Sequence, residues 1–180
     1  MPIVYDKSRK IFHLQAGDTS YIMQIVKEKY LVHLYWGRRI SSYHESRRII
    51  WKDRGFAPNP DTSDRTFSLD TLPQEYPQTG NGDFRNPAYG IRQENGSRIS
   101  NLEYIGYEIS DGKPKLPGLP ASSGSKKDVQ TLKVYMEDAV AGLKVCFLYS
   151  VFASESVITR SVIFLNKGKK PLHLTKMLSM

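Results

Sequence analysis

Residues 51–87 show neither a helical nor an alternating hydrophobic period, yet the sequence on both sides of them reads as β-strand. They hold five of the ten prolines of the chain. A patternless segment of this length exceeds the roughly 12–15 residues beyond which loops in compact domains are usually functional or disordered. Disordered tracts are poor in aromatic side chains, whereas Trp51, Phe56, Phe67, Tyr76 and Phe84 recur through this one. The segment is therefore expected to be an ordered, pre-shaped loop carried by a framework of strands.

The flanks supply that framework. Residues 10–15 place Phe12 and Leu14 on one face. Residues 20–27 and 30–36 are rich in Ile, Val and Tyr, and the short link at Glu28-Lys29 predicts a hairpin. Tyr30, Val32, Leu34 and Trp36 alternate with Leu31, His33 and Tyr35, so this strand is expected to be covered on both faces. After the loop, residues 88–92 read as a strand. Asn95-Gly96 predicts a turn, and residues 102–110 read as the returning strand, with Ile105, Tyr107 and Ile109 on one face. Residues 130–137 alternate with Leu132, Val134 and Met136 inward. The apolar runs at 143–151 and 157–165 pair, and 171–176 is a last strand. About nine strands without an amphipathic helix predict an all-β fold, an antiparallel β-sandwich. The chain is read as a segment of something longer.

Composition narrows the function classes. A net charge of +8 suggests nucleic acid at first sight. The basic residues, however, fall in scattered pairs such as Arg38-Arg39 and Lys126-Lys127, with acids between them, so no nucleic-acid partner is expected. Cys146 is the one cysteine and sits in an apolar run, which predicts a buried thiol and no disulfide framework. No apolar run reaches the roughly 18–20 residues that span a bilayer, and the N-terminus lacks a secretory pattern. A soluble, cytoplasmic protein with no membrane partner is expected.

The four histidines stand at no metal-ligand spacing, and phosphate-binding glycine loops and a nucleophile elbow are missing. No metal, cofactor or catalytic residue is expected. The acids of the irregular segment are more informative. Asp53 adjoins Arg54, Asp64 adjoins Arg65, and Asp83 lies two before Arg85. Such pairs suit a sugar: the carboxylate accepts from hydroxyls, the guanidinium donates as a fork, and a ring packs on the pyranose. They equally suit salt bridges that hold the loop to itself.

The run Asp53-Arg54-Gly55-Phe56, the run from Ser63 to Ser68, Leu72-Pro73-Gln74-Glu75-Tyr76-Pro77, and Gly80-Asn81-Gly82-Asp83-Phe84-Arg85-Asn86-Pro87-Ala88 together resemble the N-terminal domain of glycoside hydrolase family 36 α-galactosidases. The runs from Tyr30 to Gly37 and from Lys113 to Pro120 fit as well. The resemblance implies that residues 1–180 are the first part of a β-supersandwich of galactose-mutarotase-like type, with the irregular loop at 51–87. A following (β/α)₈ barrel, outside this chain, would carry an aspartate nucleophile and an aspartate acid/base that cleave terminal α-galactosides of raffinose or melibiose type with retention. It further implies a homo-oligomer, a tetramer, whose N-terminal domains contribute oligomer contacts and a substrate-pocket loop. Asp53 matches a substrate-contacting aspartate, Arg65 a nearby arginine, and Trp51 is a candidate sugar-stacking ring. Asp64, Asp83 and Arg85 are expected to be structural. The alternative reading is a stand-alone carbohydrate-binding or protein-interaction module.

Overall fold

The computed structural model describes residues 2–44, 49, 53, 55, 59–118 and 121–178. Four strands, β1 (Ile3–Asp6), β2 (Ile11–Ala16), β3 (Thr19–Val26) and β4 (Tyr30–Arg38), form an antiparallel meander. A second meander holds β6 (Glu103–Asp111), β7 (Val129–Asp138), β8 (Leu143–Phe152) and β9 (Val157–Asn166). Between them in sequence lies β5 (Tyr89–Arg92), which pairs with β10 (His173–Met177) as a separate ribbon. The expected all-β antiparallel sandwich is the fold observed.

The turns follow from local chemistry. Between β3 and β4 the left-handed pair is Lys27 (φ 51°) and Glu28 (φ 61°), closed by Lys29 N–H to Val26 O at 3.0 Å. Positive φ at both central positions matches the twist of the flanking strands. At the β1–β2 turn the Asp6 carboxylate accepts from Ser8 Oγ (2.7 Å) and Arg9 Nε (2.7 Å). The Ser8 and Arg9 side-chain bonds hold it well below the usual carboxylate range.

The two sheets face each other across one apolar layer. Ile3, Phe12, Leu14, Tyr21, Met23 and Leu31 come from the first sheet. Leu132, Val134, Val145, Phe147, Tyr149 and Val151 come from the second. Tyr5, Phe12 and Tyr107 join the layers, with ring centroids 4.5 Å (Tyr5–Phe12 and Tyr5–Tyr107) and 5.1 Å (Phe12–Tyr107) apart. Ile3 N–H also donates across the sandwich to Gln130 Oε1 at 3.2 Å.

Three sequence expectations need correction. The segment after Asn95-Gly96 does not return along β5. The turn itself forms, with Gly96 at φ 86°. Asp138 then takes the Asn101 amide at 2.8 Å, and Gln78 Oε1 takes the Leu102 amide at 2.6 Å, which redirects the chain onto β7. Ile105 does not share a face with Tyr107 and Ile109, because a register shift between Tyr104 and Gly106 turns it outward, 48% exposed. Thirdly, a register shift opposite Ile22 and Met23 of β3 falls between His33 and Tyr35 of β4. It ends the alternation of Tyr30, Val32 and Leu34 with Trp36. A bulge of this kind re-aims the side chains beyond it, and Trp36 lies across from Tyr21 instead.

Candidate functional site

Residues 61–85 of the irregular segment form a second layer on the outer face of the first sheet. Ile11, Ile22, Tyr30, Val32 and Leu34 point away from the sandwich interior and are covered by Phe67, Leu69 and Leu72 of the segment. This explains why β4 is apolar on both faces. The two layers also bond through the backbone: His33 N–H donates to Pro73 O at 2.8 Å, and Glu75 N–H to Leu31 O at 3.0 Å. Residues 73–75 thus lie along the edge of β4, with Val32 and Gln74 as a bridge pair.

Three polar anchors fix this layer. At its start Lys27 Nζ meets Asp64 at 2.7 Å and Asp61 at 3.1 Å, while it also lies 5.5 Å from the centre of the Phe67 ring. The Lys27 and Thr66 side-chain bonds bring the Asp64 carboxyl down to about 2. Near its end the buried Asp83 accepts from Arg85 Nε (2.9 Å) and Gln74 Nε2 (2.6 Å). Arg85 Nη2 then closes on Leu69 O (2.9 Å) and Asp70 O (2.8 Å), which tie in a short 3₁₀ turn, Leu69–Thr71.

The third anchor is Glu75, whose side chain is only 2% exposed. Its carboxylate accepts from Tyr21 Oη (2.7 and 2.8 Å) and Tyr149 Oη (2.8 Å), one hydroxyl from each sheet. Arg160 Nη1 lies 3.4 Å from Oε1, and His33 Nδ1 3.5 Å from Oε2. Burial, and after it the Glu75 charge, raises both tyrosine hydroxyls far above their ordinary range, so both remain protonated donors. The Arg160 guanidinium is stacked among Tyr76, Phe147 and Tyr149 at 5.3–5.6 Å from their centres. Sequence reading used Glu75 only as part of a recognisable run. The signal that could have marked it was an acid between two prolines and beside Tyr76.

The sequence candidates fall as follows. Asp53 and Arg65 come together, with Arg65 Nη2 3.6 Å from Asp53 Oδ1, and both are open to solvent, with side chains 55% and 79% exposed. A pair this long and this exposed is held weakly, so both groups are free to meet a ligand. Trp51 and Arg54 lie outside the described residues. Asp64 is partnered by Lys27, not by Arg65. Asp83 and Arg85 do pair, as anchors of the fold. Cys146 is free and buried, with its thiol pushed up by burial. Among the described residues no group of His, Cys, Asp and Glu could hold a metal ion, and no helix is long and apolar enough to cross a membrane.

Known proteins share this fold. Residues 29–180 match the model of the glycosyl hydrolase family 36 N-terminal domain. The chain is 47% identical to α-galactosidase AgaA of Geobacillus stearothermophilus over 100% of its own length and 25% of that protein's. It is 42% identical to the bifunctional α-galactosidase/sucrose kinase AgaSK of Mediterraneibacter gnavus, over 98% of its own length and 19% of that protein's. The crystal structure of α-galactosidase AgaB from G. stearothermophilus superposes with a TM-score of 0.91 at 46% identity, covering 98% of this chain and 24% of AgaB. A crystal structure of an AgaA variant in complex with raffinose superposes with a TM-score of 0.88 at 47% identity, covering 93% of this chain and 24% of AgaA. The chain therefore spans about a quarter of the length of AgaA, of AgaB and of several curated relatives.

Proposed function

Because this chain belongs to the glycosyl hydrolase family 36 N-terminal domains, we propose that it is the non-catalytic N-terminal part of an α-galactosidase that hydrolyses terminal α-galactosides of raffinose or melibiose type with retention. The two reacting carboxylates belong to a barrel domain outside residues 1–180. This part contributes a wall of the substrate pocket and contacts between copies in a cytoplasmic homo-oligomer, a tetramer.

The observation that carries this reading is the open Asp53–Arg65 pair, in which Arg65 stands between the anchored residues Asp64 and Phe67. Binding residues commonly sit on loops fixed by a rigid scaffold. The Asp53 carboxylate accepts from vicinal galactose hydroxyls, and Arg65 donates to a third oxygen or holds Asp53 in place. Trp51, two residues before Asp53, would offer its ring to the apolar face of the sugar.

In the assembled enzyme, Asp53→Ala is expected to lower kcat/KM on raffinose roughly ten- to a hundredfold, the worth of a hydrogen bond to a charged group. The melting temperature should stay within about a degree, since the side chain is exposed. An unchanged kcat/KM would remove Asp53 from the substrate wall.

A further inference from the structure

Arg65 lies within a pair of turns that a single ammonium closes. Asp64 N–H donates to Asp61 O at 3.1 Å, and Phe67 N–H to Asp64 O at 3.1 Å, so Arg65 is the first central residue of the second turn. The Asp64 carboxylate accepts from the Thr66 amide (3.0 Å) and hydroxyl (2.6 Å), which fixes the residue after Arg65. Asn59 fixes the entry: its Nδ2 donates to Asp64 O at 2.7 Å, and its Oδ1 accepts from the Asp61 amide at 2.8 Å. Lys27 Nζ then bridges the side chains of Asp61 and Asp64, at 3.1 and 2.7 Å. The backbone on both sides of Arg65 is held, while its side chain stays 79% exposed.

Lys27 makes this reach from an unfavourable backbone. It and Glu28 occupy the two left-handed positions of the β3–β4 turn, where asparagine and glycine are the easy residues. Backbone of this kind points to a use elsewhere. Here the turn carries side chains that reach other elements: Glu28 pairs with Lys10, and Lys27 with the outer layer. The bonds to Asp64 and then to Asp61 raise the Lys27 ammonium above its ordinary range, so it is charged at neutral pH. Lys27 is 34% exposed and its two acids 27% and 28%. Ion pairs this open add little to global stability, so what the latch supplies is position.

We propose that Lys27 is a positioning residue for the substrate wall: from the β3–β4 turn it sets the place of Arg65 opposite Asp53. This rests on the substrate-wall reading of Asp53 and Arg65. Lys27 acts through Arg65, by joining the turns around it to the rigid first sheet.

The test uses the assembled enzyme with raffinose and compares Lys27→Met, Arg65→Met and the double variant. Methionine keeps the unbranched stem at position 27 and removes the charge. Lys27→Met is expected to raise KM roughly three- to tenfold with kcat changed less than about twofold, a loss of binding rather than of chemistry. Added to Arg65→Met it should cost less than about twofold more, since both act through one group. Amide exchange of residues 61–67, read by mass spectrometry, should quicken roughly tenfold in Lys27→Met. A merely structural pair would lower the melting temperature and leave KM where it was. An unmoved KM, a rise that multiplies in full with that of Arg65→Met, or unaltered exchange would each overturn the proposal and leave the substrate wall standing. If Asp53→Ala and Arg65→Met both leave kcat/KM unchanged, the wall itself fails, and the proposal with it.

Discussion

Glu75→Ala is expected to destabilise the protein by about 3–5 kcal/mol, the range for removing one partner of a buried ion pair. The loss has three parts. Tyr21 and Tyr149 are left with hydroxyls in the interior and no acceptor, since Glu75 is the partner of both. Arg160 keeps only the Glu75 carbonyl, at 3.3 Å, and its charge becomes uncompensated. The contact between the loop and both sheets is also lost at one stroke, because the two hydroxyls come from β3 and β8. For a protein of this size the melting temperature should fall by roughly 6–20 °C. Tyr149→Phe is the informative contrast: it removes one hydroxyl and leaves the carboxylate with Tyr21 and Arg160, so a loss near 1–3 kcal/mol is expected. Equal losses from both substitutions, measured by urea denaturation, would mean that the ion pair contributes nothing to holding the segment.

Asp83→Ala is the second large effect, about 2–4 kcal/mol, since it removes charge-assisted hydrogen bonds from a buried acceptor. Its signature differs from that of Glu75→Ala. Asp83 does not touch the sandwich interior; it ties Gln74 to Arg85, and Arg85 in turn holds the Leu69–Thr71 turn. The expected damage is therefore to the outer layer, where Leu69 and Leu72 lose their fixed seat over Val32 and Leu34. Phe147 and Tyr149 ring environments in the inner core should be unchanged by NMR. A global loss of core signals, or no loss of stability, would contradict this placement of Asp83.

The strand framework was legible because most of it obeys a period of two. Residues 130–137 alternate inward as Leu132, Val134 and Met136, and the 143–151 and 157–165 runs pair as their patterns require. What escaped the sequence is what breaks the period. One inserted residue in β4 moved Trp36 from the expected covered face to a place across from Tyr21, and another in β6 turned Ile105 outward. The β6 bulge does leave a signal, the isolated Gly106 beside it, whereas the β4 bulge between His33 and Tyr35 has no glycine or proline within it. The short β1 escaped because Ile3–Asp6 is only four residues long, too brief for a pattern. The expected hairpin after Asn95-Gly96 failed because distant acceptors, Asp138 and Gln78, capture the chain.

The site was legible in a different way. Asp53 and Arg65 were named from a resemblance, and the fold brings them side by side although twelve positions separate them. Their neighbours in sequence misled: Asp64 turns to Lys27, a residue on the β3–β4 turn that no local reading would choose. Glu75 was visible as a letter but not as an anchor, since its partners Tyr21, Tyr149 and Arg160 lie on three different strands. Long-range polar networks have no spacing rule, whereas hydrophobic faces do.

Residues 61–85 form a fixed second layer on the first sheet, and Arg65 within that layer lies beside Asp53. Amide hydrogen exchange tests this most directly. The Glu75 N–H bonded to Leu31 O, the Leu72 N–H bonded to Leu69 O and the His33 N–H bonded to Pro73 O report on the segment and its seam with β4. They are expected to exchange as slowly as the amides within the β3–β4 pair, and to open together when Glu75 is replaced by alanine. Exchange of the Glu75 and Leu72 amides within about tenfold of the unstructured-peptide rate, with β3 and β4 still protected, would contradict the account.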